Sequence, residues 1–334
     1  MDPIAPTPTA SPTPAAATEP ASPRFGVEIE TVGRTREQVA RAILGVVGGT
    51  IECWNTHDVT VVDRRGRRWA CVYDGSLSDR GAHAEVVTPI LNEEDIPELQ
   101  EVVRAVRGSG ARADASTGIH IHIDGAPFDA RAVRNLIKLF HKQEELIFHA
   151  FKVSPNRRAR FCRDVDPEFM RRLERARPTS KEAINALWYG RRRSRDSLHK
   201  LDSSRYRAIN LHSLFYRGTI EFRLFEGTLH AGEVKAYVQF VLALARKALS
   251  ARAASSRKRP FDPATAKYDF RVFLLHLGFI GRDYKNTRDH LTKHLQGSAA
   301  WKHGRPPRRP ASVEPAAAEP ATDGGAARRK EEAA

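Results

Sequence analysis

The chain has 334 residues, a formal net charge of +15 and a hydrophobic content of 41%, enough apolar material for one large domain or two small ones. Its apolar runs, such as "FLLHLGFI", fall far short of the ~18–20 residues of a membrane span, so transmembrane helices are not expected. The start reads unlike a secretory signal, and the odd set Cys53, Cys71 and Cys162 lacks paired spacing, so free thiols in a reducing, cytoplasmic setting are expected.

In chain order, residues 1–23 are almost wholly Pro, Ala, Thr and Ser. They hold too little apolar surface to offset chain entropy and are expected to be disordered. "RFGVEIETVG" alternates as a strand, and "TREQVARAILGVVG" is a helix with Thr35 as N-cap and Gly48 at its stop. "HDVTVVDRRGRRWACVYDGSL" reads as a hairpin around Arg65-Gly66. "GAHAEVVTPIL" is a strand ended by Pro89, and "NEEDIPELQEVVRAVRGSG" an amphipathic helix. The strand "TGIHIHID" precedes a helix in which Val133, Leu136, Ile137 and Phe140 keep helical spacing.

Residues 152–200 form an arginine-rich insert that is mostly helical. "RYRAINLHSLFYRGTIEFRLFEGTL" predicts two strands around Arg217-Gly218, and "HAGEVKAYVQFVLALARKALS" a long helix. The part 251–302 carries two shorter helices, in "DFRVFLLHLGF" and "TRDHLTKHLQG". Residues 303–334 are expected to be disordered for the same reason as the start, so 24–302 is the folded domain. Strands scattered among helices and hairpins predict an α+β domain: a largely antiparallel sheet with helices on one face.

Three of these strands share a peculiarity. Successive side chains of a strand point to opposite faces, so Ile119, Ile121 and Ile123 share one face while His120 and His122 share the other, with Asp124 at the end. Glu28 and Glu30 likewise stand opposite Phe25, Val27 and Ile29. Glu221 and Arg223 stand opposite Ile220, Phe222 and Leu224, and Glu85 lies beside them. Each pair alone reads equally as a solvated strand face. Placed side by side, the strands would gather carboxylates that repel unless a cation neutralises them. Mg²⁺ or Mn²⁺ takes oxygen ligands and an occasional imidazole, and an arginine among them would hold phosphate.

The order "FGVEIE … WACVYDGSL … AEVVTPIL … GIHIHID … RYRAINLHS … GTIEFRLFEGT" resembles the amidoligase family, which belongs to the carboxylate–amine ligase superfamily with glutamine synthetase and glutamate–cysteine ligase. The resemblance spans roughly residues 24–300. It implies a sheet curved into a partial barrel, glutamine synthetase-like, that cradles ATP and two or more divalent metals. It also implies a reaction: ATP converts a carboxylate to an acyl phosphate, and an amine displaces the phosphate to give an amide.

The resemblance carries over motif by motif. Glu28 and Glu30 match the family's E-x-E metal ligands, and Glu85 its later ligand glutamate. His120 matches a histidine at metal and phosphate, with His122 beside the nucleotide or substrate. Glu221 matches a metal-binding glutamate, and Arg223 its phosphate-facing arginine. Arg205 and Asn210 fall where polar groups approach phosphate or substrate, though a structural hydrogen bond explains them too. The metal set is thus Glu28, Glu30, Glu85, His120 and Glu221, the nucleotide set His122, Arg205, Asn210 and Arg223, and the catalytic pair Arg223 and Glu85. A turn explains Asp74 and Ser76 equally well, Glu226 is a rim residue, and His141, His149 and His212 read as ordinary histidines.

The substrates implied are an amino-acid or peptide carboxylate and an amine. Residues 131–217 contain 22 Lys/Arg against 9 Asp/Glu, a field that attracts an acidic co-substrate or another polyanion. It also motivates an alternative: a degenerate ligase fold that binds nucleic acid or acts as a scaffold. A metal-dependent hydrolase would use similar ligands without ATP.

Overall fold

In the computed structural model, the described residues are 22–53, 58–79, 81–190 and 199–304. The expected disordered tails lie outside them, except at their inner ends. There Ser22 donates to Glu93 at 2.6 Å and Pro23 is buried, so both already belong to the fold. The "RRRSR" of the basic insert also lies outside.

Eight strands make one sheet: β1 (Phe25–Val32), β2 (Thr50–Cys53), β3 (Val59–Val62), β4 (Arg68–Val72), β5 (His83–Val87), β6 (Gly118–Asp124), β7 (Ile209–Asn210) and β8 (Thr219–Glu226). Their spatial order is β2-β3-β4-β5-β1-β6-β8-β7, and every neighbouring pair is antiparallel. The sheet is open, with β2 and β7 at opposite edges. Mixed α+β architecture is thus observed.

The helices are α1 (Arg36–Val47), α2 (Ile96–Gly108), α3 (Ala130–Ala150), α4 (Pro155–Arg160), α5 (Pro167–Ala176), α6 (Lys181–Tyr189), α7 (His212–Arg217), α8 (Ala231–Ser250), α9 (Ala266–His276) and α10 (Lys285–Thr292). Thr35 caps α1 in a capping box with Gln38, and Gly48 ends it with φ 65°, satisfying backbone groups a helix end leaves open. α1 packs on β3, β4 and β5, and α2 and α3 pack on α8. Phe25, Val27, Ile29, Ile119, Ile121 and Ile123 are all buried, so the alternation read from sequence gives the sheet its apolar face. The insert does form helices α4, α5 and α6 within its described part.

Two local expectations change. "RYRAINLHSLFYRG" gives only the two-residue β7 and then α7, because Asn210 turns its side-chain oxygen to the Ser213 N–H at 3.3 Å and starts a helix. Gly218, with φ 80°, ends that helix; the left-handed freedom of glycine serves a helix stop as well as a hairpin turn. A bulge in β8 pairs Ile121 with Phe222 but Ile119 with Phe225. Phe225, not Leu224, thus continues the register of Ile220 and Phe222, and its ring stacks on Tyr237 of α8 at 4.6 Å. Such bulges re-aim side chains near functional sites.

Candidate active site

The strand order places β5, β1, β6 and β8 side by side, and the register aligns their polar residues. Glu30 pairs with Glu85 and Glu28 with His120, while Glu221 lies opposite both His122 and Asn210. The side chains then meet. His120 Nδ1 is 3.1 Å from Glu28 Oε2, and its Nε2 is 3.8 Å from Glu30 Oε1. His122 Nε2 sits 3.3 Å from Glu28 and 3.7 Å from Glu221. Three overlapping groups bring ligand atoms within 4.8 Å of one another: Glu28, His122 and Glu221; Glu28, Glu85 and His120; Glu30, Asp74 and Glu85.

The chain supports these groups from behind. Asn210 donates to Glu221 Oε2 at 2.6 Å, Arg223 donates to the other oxygen, and the Gly118 N–H donates to Glu30 at 2.6 Å. His122 Nδ1 meets Thr219 Oγ1 at 3.1 Å. That contact orients the ring so that Nε2 faces the carboxylates of Glu28 and Glu221. Nε2 is buried with no hydrogen-bond partner.

A cavity of about 380 Å³ opens over this floor. Its lining includes Arg157, Lys200, Arg205 and Arg217, with the rings of Tyr206 and Tyr216, so an acidic floor faces a basic, partly aromatic wall. Arg157 is buried and donates to the Thr117 and Arg223 carbonyls at 3.2 and 3.4 Å. Its guanidinium lies where a Cβ on residue 118 would stand, which is why β6 begins with glycine.

The charges are unbalanced. Burial, then the nearby Glu28, Glu30 and Asp74, push the Glu85 carboxyl up to about 9. Burial also raises Glu30, against the pull of His120 and Arg157. Burial opposes ionisation of Glu28 too, but His122 and His120 outweigh it and hold that carboxyl well below the usual range. Glu221 is lowered despite burial by Arg223 and the same histidines. His122 is raised because Glu221 and Glu28 outweigh its desolvation.

A family model described as "Putative amidoligase enzyme" matches residues 21–245, which include all eight strands and every group in this cavity. The chain belongs to the amidoligase family. That makes it an enzyme of the carbon–nitrogen ligase class. No curated protein matches the chain, and among the described residues no helix is long and apolar enough to cross a membrane.

Glu28, Glu30, Glu85, His120, His122, Arg205, Asn210, Glu221 and Arg223 all line the same cavity. His122 belongs to a ligand group in its own right, whereas the sequence puts it only beside the nucleotide. Asn210 holds Glu221. Arg205 stacks its guanidinium over Tyr206 at 4.9 Å. Glu226 accepts the Ser154 N–H at 2.7 Å and supports the start of α4. His149 stacks on Phe261 at 4.0 Å, and neither it nor His141 lines the cavity.

Sequence reading underrated three residues. Asp74 forms the expected turn, accepting the Ser76 N–H at 2.8 Å, yet also joins Glu30 and Glu85. His212 lines the cavity, its Nδ1 2.5 Å from the Tyr189 hydroxyl. Arg157 was hidden in the run "NRRAR"; the signal was its position three residues after Ser154, the N-cap of α4.

Proposed function

We propose that this amidoligase is an ATP-dependent carboxylate–amine ligase on a glutamine synthetase-like fold, assisted by Mg²⁺ or Mn²⁺. A carboxylate oxygen attacks the γ-phosphorus of ATP and ADP leaves. An amine nitrogen then attacks the acyl phosphate, phosphate departs, and the nitrogen sheds one proton. The observation that carries this reading is the chain of three overlapping groups, two of carboxylates with an imidazole and one of carboxylates alone, beside the buried Arg223.

The donor set fits a hard divalent cation: oxygens predominate, imidazoles are few, and the carboxylates are too crowded to ionise together. Glu28, Glu30, Glu85, His120 and Glu221 would hold it, joined by His122 and Asp74. When bound, such a cation screens the carboxylates and polarises phosphoryl oxygens. Arg223 and Arg157 stabilise the charge that develops on the transferring phosphoryl group. Lys200, Arg205 and Arg217 attract the carboxylate of an amino acid or peptide, or an acidic co-substrate. Buried, unpaired Cys71 and Cys162 accord with a cytoplasmic setting.

Hydroxylamine traps acyl phosphates as hydroxamates, so the test is incubation with ATP, Mg²⁺, hydroxylamine and pools of amino acids or peptides. Hydroxamate should form together with phosphate release. Nucleotide binding with no carboxylate-stimulated turnover from any pool would overturn the proposal, and turnover without ATP would indicate a hydrolase. The nucleic-acid alternative draws less support, because several arginines in the described part of the insert are engaged within the fold. Arg158 bridges Glu145 and Asp164, and Arg172 donates to the Leu187 carbonyl at 3.0 Å.

A further inference from the structure

Away from the sheet, α8 and α10 bring two imidazoles and a carboxylate together. His230 is the N-cap of α8, Glu233 stands in its first turn, and His290 comes from α10. One ligand atom from each lies within 4.8 Å of the others. Positions three apart share one side of a helix, so His230 and Glu233 face the same space. The cap bond is long, with His230 Nδ1 accepting the Glu233 N–H at 3.3 Å, so this lone pair is readily given up to a stronger partner.

Gly232 makes the approach of the two rings possible. A Cβ there would stand 2.5 Å from His290 Nε2 and 3.1 Å from His230 Cε1. The ring centroids are 5.0 Å apart. Two imidazoles on one tetrahedral zinc, with Zn–N of about 2.0–2.1 Å, put their centroids about 5.2 Å apart. We propose that His230, Glu233 and His290 form a binding site for a divalent transition-metal ion of the Zn²⁺ class, with its remaining position open to the adjoining cavity of about 700 Å³.

The surroundings suit that ion. Lys293 and Thr228 hydrogen-bond the Glu233 carboxylate, the kind of outer contact that orients a ligating group. Arg104, Arg107 and Lys235 line the same cavity. They work against a hard cation held by charge alone and favour one held by imidazole nitrogen. His290 lies beyond residues 21–245, so the site is an addition to the matched family core. His230 follows the end of β8 by four residues, and the metal would fasten α10 to the segment leaving the catalytic sheet.

The test is equilibrium dialysis of the full chain against Zn²⁺, with a parallel titration by Co²⁺, whose visible absorption reports coordination geometry. His290→Ala should lose one bound equivalent relative to wild type. Gly232→Ala improves a helical position but pushes the His290 ring aside. It should weaken the same equivalent at least about tenfold, while thermal unfolding stays level or improves. Glu28→Gln with Glu221→Gln should keep that equivalent and its Co²⁺ spectrum, which separates it from the sheet cluster. Equal Zn²⁺ stoichiometry and affinity in wild type, His290→Ala and Gly232→Ala would overturn the proposal.

Discussion

Asp63, just after β3, and Glu85, on β5, are carboxylates on the same sheet with opposite surroundings. Asp63 accepts the N–H groups of Arg65 and Arg67 at 2.8 and 2.9 Å, the Arg67 Nε at 2.8 Å and the Trp69 indole at 3.2 Å. Arg65 and Arg67 then reach across to Asp95 and Glu98 at the start of α2. Burial opposes ionisation here too, but these donors hold Asp63 and Asp95 below the usual carboxylate range. Glu85 sits instead among Glu28, Glu30 and Asp74 and is pushed up to about 9. In one network every carboxylate meets donors of the chain; in the other Glu85 stands crowded among carboxylates. Buried charge alone does not single out a candidate site, whereas buried carboxylates left crowded against one another do.

The largest expected effect tests the self-sufficient network. Asp63→Ala takes one of three carboxylates from Arg67 and leaves the Arg65 and Arg67 N–H groups and the Trp69 indole without their acceptor, so it should cost about 3–5 kcal/mol. Denaturant unfolding measures the loss. Turnover per folded molecule should stay within about twofold. A folded Asp63→Ala protein without activity would make the hairpin part of the site and break the contrast.

Next come the carboxylates of the sheet cluster. Glu28→Gln and Glu221→Gln keep the shape and remove the charge, so turnover should fall roughly 10²–10³-fold, as when one preorganised electrostatic partner is lost. Steady-state kinetics at saturating ATP and Mg²⁺ gives the number, and thermal unfolding should show no matching loss. A drop in stability without a drop in turnover would reverse the roles of the two regions.

The sequence foretold this contrast unevenly. Period-two alternation put Glu28, Glu30, His120, His122, Glu221 and Arg223 on the correct faces, because a strand's side-chain period follows from backbone geometry alone. Adjacency of β1, β6 and β8 is a matter of topology and came only with the resemblance. Asp74 was illegible as a site residue because its turn role accounts for it locally. Arg157 looked like its exposed neighbours until the fold showed that Gly118 leaves space for it. Strand β2 went unread since "TIEC" is too short to display a period. The complete network at Asp63 was equally hidden: "DRRGRR" reads as a charged turn, and only the packing of α2 supplies Asp95 and Glu98.

A smaller effect separates the two regions by pH. Glu85 keeps its proton in the folded chain above the ordinary value of 4.5, while the unfolded chain has released it. Stability in chelator should therefore be whole below pH 4.5 and decline as pH rises toward about 9. Asp63, lowered from 3.8, contributes stability above that value and loses it as pH falls through its folded pKa. Glu85→Gln should flatten the alkaline decline only, raising Tm at pH 8 by roughly 2–4 °C for each kcal/mol of strain removed. Mg²⁺ should raise the wild-type Tm at pH 8 and do less for the variant. An identical pH profile for both proteins would mean that the crowding of carboxylates carries no strain.

The smallest effect calibrates the others. Arg41 and Glu37 form an i,i+4 ion pair on α1 at 2.7 Å, with side chains 70% and 59% exposed. Water screens both partners in the folded and unfolded chain alike, so the pair should contribute no more than about 0.3–0.5 kcal/mol. A double-mutant cycle with Arg41→Ala and Glu37→Ala measures it, and 0.5 M salt should erase it. The distance matches that of the Asp63–Arg67 contact, 2.8 Å, so geometry is held nearly constant while burial changes. A coupling energy at Arg41–Glu37 as large as the loss in Asp63→Ala would mean that contact distance, not desolvation, sets the strength of these pairs. The unbalanced carboxylates of the sheet would then lose their claim to need a cation.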